Sequence, residues 1–205
     1  MRTPSVAGGF LLALTLAAPA AAQILDSSPD VLAFYADPVG NRAGVCTLFT
    51  PQTLYLMITH PSDASGLTAY GCSFALPPGL ISLNFQVGDG IIPEFIFPDV
   101  DVALSTPRPP VGDTYTLGTW TVMVTSPALD IVTMVDHFPG LGLEAGYRTV
   151  TSTDWISVRP PDWGNGMPMG DPWWHAVLWL NDPTWCGIVT PAEASNWGAV
   201  KATFR

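Results

Sequence analysis

Charge is scarce in this sequence, and positive charge most of all. Only 12% of the residues are Asp, Glu, Lys or Arg, too few to clothe the exposed faces of a helical protein. Seven Lys and Arg stand against 17 Asp and Glu. Such a balance repels phosphate backbones, whose binding rests on Lys and Arg contacts and the counterions they release, so nucleic acid is excluded as a partner. Acidity by itself names no other partner.

Long apolar runs are missing as well. Beyond residue 22 the longest candidate is WWHAVLWL at 173–180, short of the roughly 18 residues that cross a bilayer. No transmembrane segment is expected in the mature chain. Glutamate is rare: Glu94, Glu144 and Glu193 are all there are, and no acidic pair has the spacing used by glycoside hydrolases. Asp99 and Asp101 would share one face of a strand, an arrangement better suited to a solvated edge that resists sheet-to-sheet association. The sequence also lacks G-x-S-x-G, H-E-x-x-H, C-x-x-C, Walker A and G-x-G-x-x-G patterns, leaving no motif for a nucleophile, zinc or a nucleotide. His60, His137 and His175 stand apart from any partnering motif. No catalytic residue and no cofactor is expected.

What is abundant is Pro (21), Gly (19) and apolar side chains (48%). That apolar content is too high for disorder, so Pro and Gly act as turn punctuation between strands. The clearest strand is ISLNFQV at 81–87, where Ile81, Leu83, Phe85 and Val87 alternate with Ser82, Asn84 and Gln86. A period of two gives one buried face and one wet face. Further strands are expected at 31–36, 45–49, 53–59, 67–76, 95–104, 114–125, 129–135, 149–158 and 173–180. Strands this short and this evenly spaced predict an all-β fold, an antiparallel immunoglobulin-like or jelly-roll β-sandwich.

The ends differ from this pattern. Arg2, the stretch GGFLLALTLAA and Ala20-Ala21-Ala22 before Gln23 form the three-part pattern of a secretory signal peptide. Residues 1–22 are therefore set aside, and residues 23–188 form the sandwich domain. At 189–205, Thr190, Pro191 and Glu193 make a capping box with proline in the first turn. Trp197, Val200 and Phe204 then fall on one face, with Lys201 and Arg205 at the end favoured by the helix dipole. A helix this short is marginal alone in water. Its apolar face packs on its own sandwich or docks to another molecule, and both readings stand.

The mature chain keeps Cys46, Cys72 and Cys186. In an oxidising compartment one disulfide is expected, with one thiol left over. Of the three pairings, Cys46–Cys72 is favoured because both lie in early strands about one hairpin apart. Six of the eight Trp fall between 155 and 185, and exported sandwiches can stack Trp on sugar rings. In 173–180, alternation puts Trp173, His175, Val177 and Trp179 on one face and Trp174, Ala176, Leu178 and Leu180 on the core face. Trp163, Trp173, His175 and Trp179 are thus the candidate ligand-binding residues. Asp89, Asp162, Asn165 and Asp171 lie in Gly-rich loops, but without the spacing of a strong calcium loop they leave calcium open.

The tail NWGAVKATFR, following Cys186-Gly187, resembles the C-terminal ends of uncharacterised exported bacterial β-sandwich proteins, of the form W-G-x-V/I-K-x-x-Y/F-R. The early ADPVGN…C segment matches the same group loosely, and GLTAYGCSFALP is similar to segments of cohesin-type and other immunoglobulin-like modules. The resemblance implies export and a sandwich fold and transfers no activity. The expectation is a secreted, non-enzymatic structural or interaction module of the cell surface or extracellular medium, its partner a glycan or another surface protein. The alternative is a carbohydrate-binding module using the Trp-rich face.

Overall fold

The protein, seen in a computed structural model, is described at residues 26–40, 42–87, 98–137, 145–162, 175–182 and 185. The strands are β1 (Val31–Tyr35), β2 (Gly44–Val45), β3 (Gln52–Thr59), β4 (Leu67–Ala75), β5 (Leu80–Val87), β6 (Asp99–Arg108), β7 (Thr114–Val124), β8 (Asp130–Val135), β9 (Ala145–Thr149), β10 (Ile156–Ser157) and β11 (Ala176–Leu180). One sheet has the order β1-β3-β7-β5. In the other, β4 pairs with β6 on one edge and with β9 and then β8 on the opposite edge. That sheet continues from β9 to β10 and from β8 through β11 to β2. All of these pairings are antiparallel except β2 with β11. The chain is an open two-sheet β-sandwich, as the alternation predicted.

The two sheets meet through alternate residues. Leu32 and Phe34 of β1, Leu54, Leu56 and Ile58 of β3, and Trp120, Val122 and Val124 of β7 face Tyr70, Cys72 and Phe74 of β4 and Val100 and Val102 of β6 in one core. Phe34 sits between Phe74 and Trp120, each ring centroid 4.9 Å away. Burying each such ring contributes roughly 1.5–3 kcal/mol, so this trio ties the sheets together. Trp120 keeps its polar edge satisfied by donating from Nε1 to Ser82 Oγ at 2.9 Å. The opposite residues of β1 and β3, namely Ala33, Tyr35 and Met57, form a separate buried cluster, so this half of the sheet is covered on both faces.

Three expectations change. In β5 the register against β7 shifts between Ser82 and Asn84, a β-bulge that reverses the alternation. Leu80 and Ser82 lie opposite the buried Val124 and Val122 before the bulge, and Phe85 lies opposite Trp120 after it. Ile81 and Leu83, expected inside, are 42% and 48% exposed. The expected strand 149–158 is instead two strands, β9 ending at Thr149 and β10 starting at Ile156, with a turn in which the Thr149 amide donates to the Ser152 carbonyl at 3.3 Å. In β11 a register shift between Ala176 and Leu178 places Ala176 with Trp179 on one side, while Val177 joins Leu178 and Leu180 in the main core.

The cysteine pairing also changes. Cys72 is a free, buried thiol pointing between the sheets beside Tyr70 and Phe74, so the expected Cys46–Cys72 disulfide is not formed. Residues 1–22, Trp163, Trp173, Cys186 and the expected helix with Trp197, Val200 and Phe204 lie outside the described residues. Among the described residues, no helix is long and apolar enough to cross a membrane.

Candidate functional site

The densest polar chemistry gathers at one end of the sandwich, where β1, β4 and β7 begin and β3 and β9 finish. Pairing brings these ends together, with Val31 opposite Thr59, Thr59 opposite Thr114 and Leu67 opposite Thr149. The loop HPSDASG follows β3. Within it Asp63 turns its carboxylate back on itself, accepting the Ser65 amide at 2.9 Å, an Asx-turn that its residue type favours. The other oxygen of Asp63 accepts the hydroxyls of Thr149 at 2.6 Å and Thr151 at 2.5 Å. These hydroxyls, with the Ser65 amide, hold the Asp63 carboxyl well below the usual carboxylate range.

Asp30 completes the cluster from the turn before β1. Its Oδ1 accepts the Ser62 amide at 2.8 Å and the Tyr147 hydroxyl at 2.6 Å. Burial and the Asp30 carboxylate push the Tyr147 phenol above its ordinary range, which keeps it a donor at any physiological pH. The Tyr115 hydroxyl takes the Gly66 amide at 3.2 Å and donates to the Asp63 carbonyl at 3.1 Å. His60 pairs through Nδ1 with the Asp113 carboxylate. Asp30 and His60 hold left-handed backbone, at φ 56° and 50°, a costly conformation for residues other than glycine. Backbone bonds fix it, from the Asp30 amide to the His60 carbonyl and from the His60 amide to the Asp113 carbonyl. Chemically the cluster is a set of clasps: each carboxylate is engaged by groups of the chain itself.

A second constellation lies on the outward face of β4. Ser73 Oγ stands 2.6 Å from His137 Nδ1, with Asp99 opposite Ser73 in register on β6. A hydroxyl and an imidazole at that distance have the spacing of a nucleophile and its base. Ser73, however, is only 4% exposed, which gives a substrate carbonyl no open approach. Asp99, Asp101 and Asp136 are exposed. Among the described residues, no group of three or more His, Cys, Asp or Glu is arranged to hold a metal ion. Asp162 contributes its backbone amide to Asp26 at 2.6 Å, while Asp89, Asn165 and Asp171 are outside the described residues.

The tryptophans take a third position. Trp179 is 2% exposed and stacked on Trp185 at 6.3 Å, so it presents no ring face to solvent. Trp155 carries the Arg148 guanidinium over its ring at 4.6 Å. His175 is half-buried before β11. The four candidate ligand-binding residues are therefore not seen as one platform: Trp179 is covered, and Trp163 and Trp173 lie outside the described residues.

Sequence reading missed the clasps because their members are scattered: Asp30, Asp63 and the β9 residues Tyr147 and Thr149 belong to three separate segments. Only the Asp63–Ser65 spacing carried a local signal, that of an Asx-turn. No protein-family model, curated protein or solved structure matches this chain.

Proposed function

We propose that the protein is exported and serves as a non-enzymatic structural or interaction module of the cell surface or extracellular medium. The observation that carries this reading is the internal engagement of the polar end: Asp30, Asp63, Tyr147, Thr149 and Thr151 bond to one another and to loop backbone. A catalytic or ligand site keeps such groups available for substrate; here they close loops. The coverage of Ser73 and Trp179 supports the same reading. Export is supported by the signal pattern before Gln23, and the tail that resembles exported bacterial proteins agrees with it.

The test uses the purified mature chain. It is offered p-nitrophenyl esters and, separately, a panel of soluble polysaccharides followed by intrinsic Trp fluorescence. The reading expects no ester turnover above buffer and no saturable fluorescence change. Ester turnover lost in Ser73→Ala or His137→Ala would overturn it in favour of a hydrolase. A saturable polysaccharide response lost in Trp163→Ala or Trp173→Ala would overturn it in favour of the carbohydrate-binding reading. Export is tested apart from this, by the N-terminus of the chain recovered outside the cytoplasm, which should be Gln23.

A further inference from the structure

The structure assigns Cys46 to a disulfide, and we propose that its partner is Cys186. The bond fastens the chain beyond β11 to β2. The sequence holds three cysteines, and Cys72 is free and buried between the sheets, so elimination leaves Cys186.

Geometry around Cys46 leads to the same partner independently. β2 and β11 run parallel, with Trp179 opposite Gly44 and Leu180 opposite Val45. The chain therefore leaves both strands in the same direction, and Cys46, next after Val45, travels beside the residues that follow Leu180. Two contacts keep them together: the Asn181 amide donates to the Val45 carbonyl at 2.9 Å, and Cys46 Sγ lies 3.7 Å from the Asp182 carbonyl oxygen. Trp185 then closes on β2. A Cβ built on Gly44 would stand 2.9 Å from the Trp185 carbonyl carbon, the atom whose peptide bond leads to Cys186. A disulfide needs Cα atoms about 4.4–6.8 Å apart, and the residue before Cys186 in sequence, Trp185, is in backbone contact with Gly44, two residues before Cys46.

The bond has a structural purpose. Among the described residues, β2 is two residues long and pairs with β11 alone, so few strand hydrogen bonds hold it. A covalent link there keeps Trp185 stacked on Trp179 and keeps the cluster of Ala43, Ala176 and Trp179 covered. Its chemistry is thiol–disulfide exchange. The Cys46 thiolate attacks a disulfide-bearing oxidant to give a mixed disulfide, and the Cys186 thiolate then displaces the carrier. Two electrons and two protons leave with the carrier as its dithiol. Formation in the cell rests on the export proposed above; the pairing itself does not.

The purified full chain, reduced and then equilibrated in a glutathione redox buffer, tests the pairing without reference to compartment. Free thiols are alkylated in denaturant, and the chain is cut before aspartate under non-reducing conditions. Cleavage before Asp63 separates Cys46, in fragment 37–62, from Cys72, in fragment 63–88, while Cys186 falls in fragment 182–205. The expected result is 37–62 linked to 182–205, with a single alkylated thiol at Cys72. A link between 37–62 and 63–88, a link between two copies of one fragment, or three alkylated thiols would each overturn the proposal. Cys72→Ala should keep the link. Cys46→Ser and Cys186→Ser should each abolish it and lower Tm by about 5–15 °C, the range expected for a native disulfide in a domain of this size.

Discussion

The hydroxyl of Tyr147 donates to the carboxylate of Asp30 at 2.6 Å, joining the middle of β9 to the residue that precedes β1. The Tyr147 ring also meets that of Tyr115 at 6.0 Å between the two sheets, so ring and hydroxyl have separable tasks. Tyr147→Phe keeps the ring and removes the donor to a charged acceptor. It should destabilise the chain by about 1.5–3 kcal/mol, seen as a fall in Tm of about 3–12 °C. A melt unchanged within error would mean that the Ser62 amide alone holds Asp30 in place.

Acid should loosen the same end of the molecule. The Asp63 carboxyl is held below its ordinary value by the Thr149 and Thr151 hydroxyls and the Ser65 amide. A depressed native pKa means that this stabilisation is fully present above the unfolded-state value of about 3.9 and is lost as pH falls through the native value. Asp26 has the same sign: burial raises its pKa, but the amides of Ser28 and Asp162 and the charge of Arg159 outweigh that and lower it. Urea unfolding at pH 7, 4 and 3 should show stability steady down to about pH 4 and falling below it. Asp63→Asn should be weaker at pH 7 and flatter below pH 4; a variant with an unaltered acid slope would remove Asp63 from the account.

Much of this architecture was legible because it follows from period-two burial. The strands 53–59, 67–76 and 114–125 emerge as β3, β4 and β7 within a residue or two at either end; β3 alternates throughout, with Leu54, Leu56 and Ile58 in the core, and β4 and β7 keep long alternating stretches in Tyr70, Cys72 and Phe74 and in Trp120, Val122 and Val124. Legibility failed where a bulge intervened. In β5 and β11 one extra residue exchanges the faces, and nothing in ISLNFQV or WWHAVLWL marks where that residue falls. The polar end was illegible for a different reason. A clasp such as Asp63 with Thr149 joins residues 86 apart, and ordinary Asp and Thr carry no sign of a distant partner. Cys72 misled because strand proximity in sequence says nothing about which face a thiol takes; β4 points it into the core.

That position makes Cys72 chemically quiet. Burial, with smaller contributions from Asp101 and Asp99, pushes its thiol well above the usual range, and the thiolate is the reactive form. A thiol-reactive dye added to the native chain should therefore leave Cys72 unmodified over hours. In denaturant it should react within the mixing time of a few minutes. Prompt labelling of native protein at Cys72 would mean that β4 opens far more readily than its place at the centre of the sheet implies.

The bulge in β5 gives a further test, because two registers of one strand predict opposite outcomes. Under unbroken alternation Leu83 and Phe85 would both be buried, and a charge at either would be severely destabilising. With the bulge, Leu83 is 48% exposed while Phe85 packs against the core opposite Trp120. Leu83→Lys should then change stability by no more than about 0.5 kcal/mol, as surface substitutions do, whereas Phe85→Ala should cost more than about 1 kcal/mol as packing is lost. β5 also lies at the end of its sheet and carries no charged residue. Edge strands are commonly guarded by lysine or by a bulge; this one has the bulge alone, and Leu83→Lys adds the other guard. The variant should therefore match wild type in urea midpoint while staying monomeric to higher concentration in light scattering. A loss of several kcal/mol would instead restore the unbroken register and return Leu83 to the core.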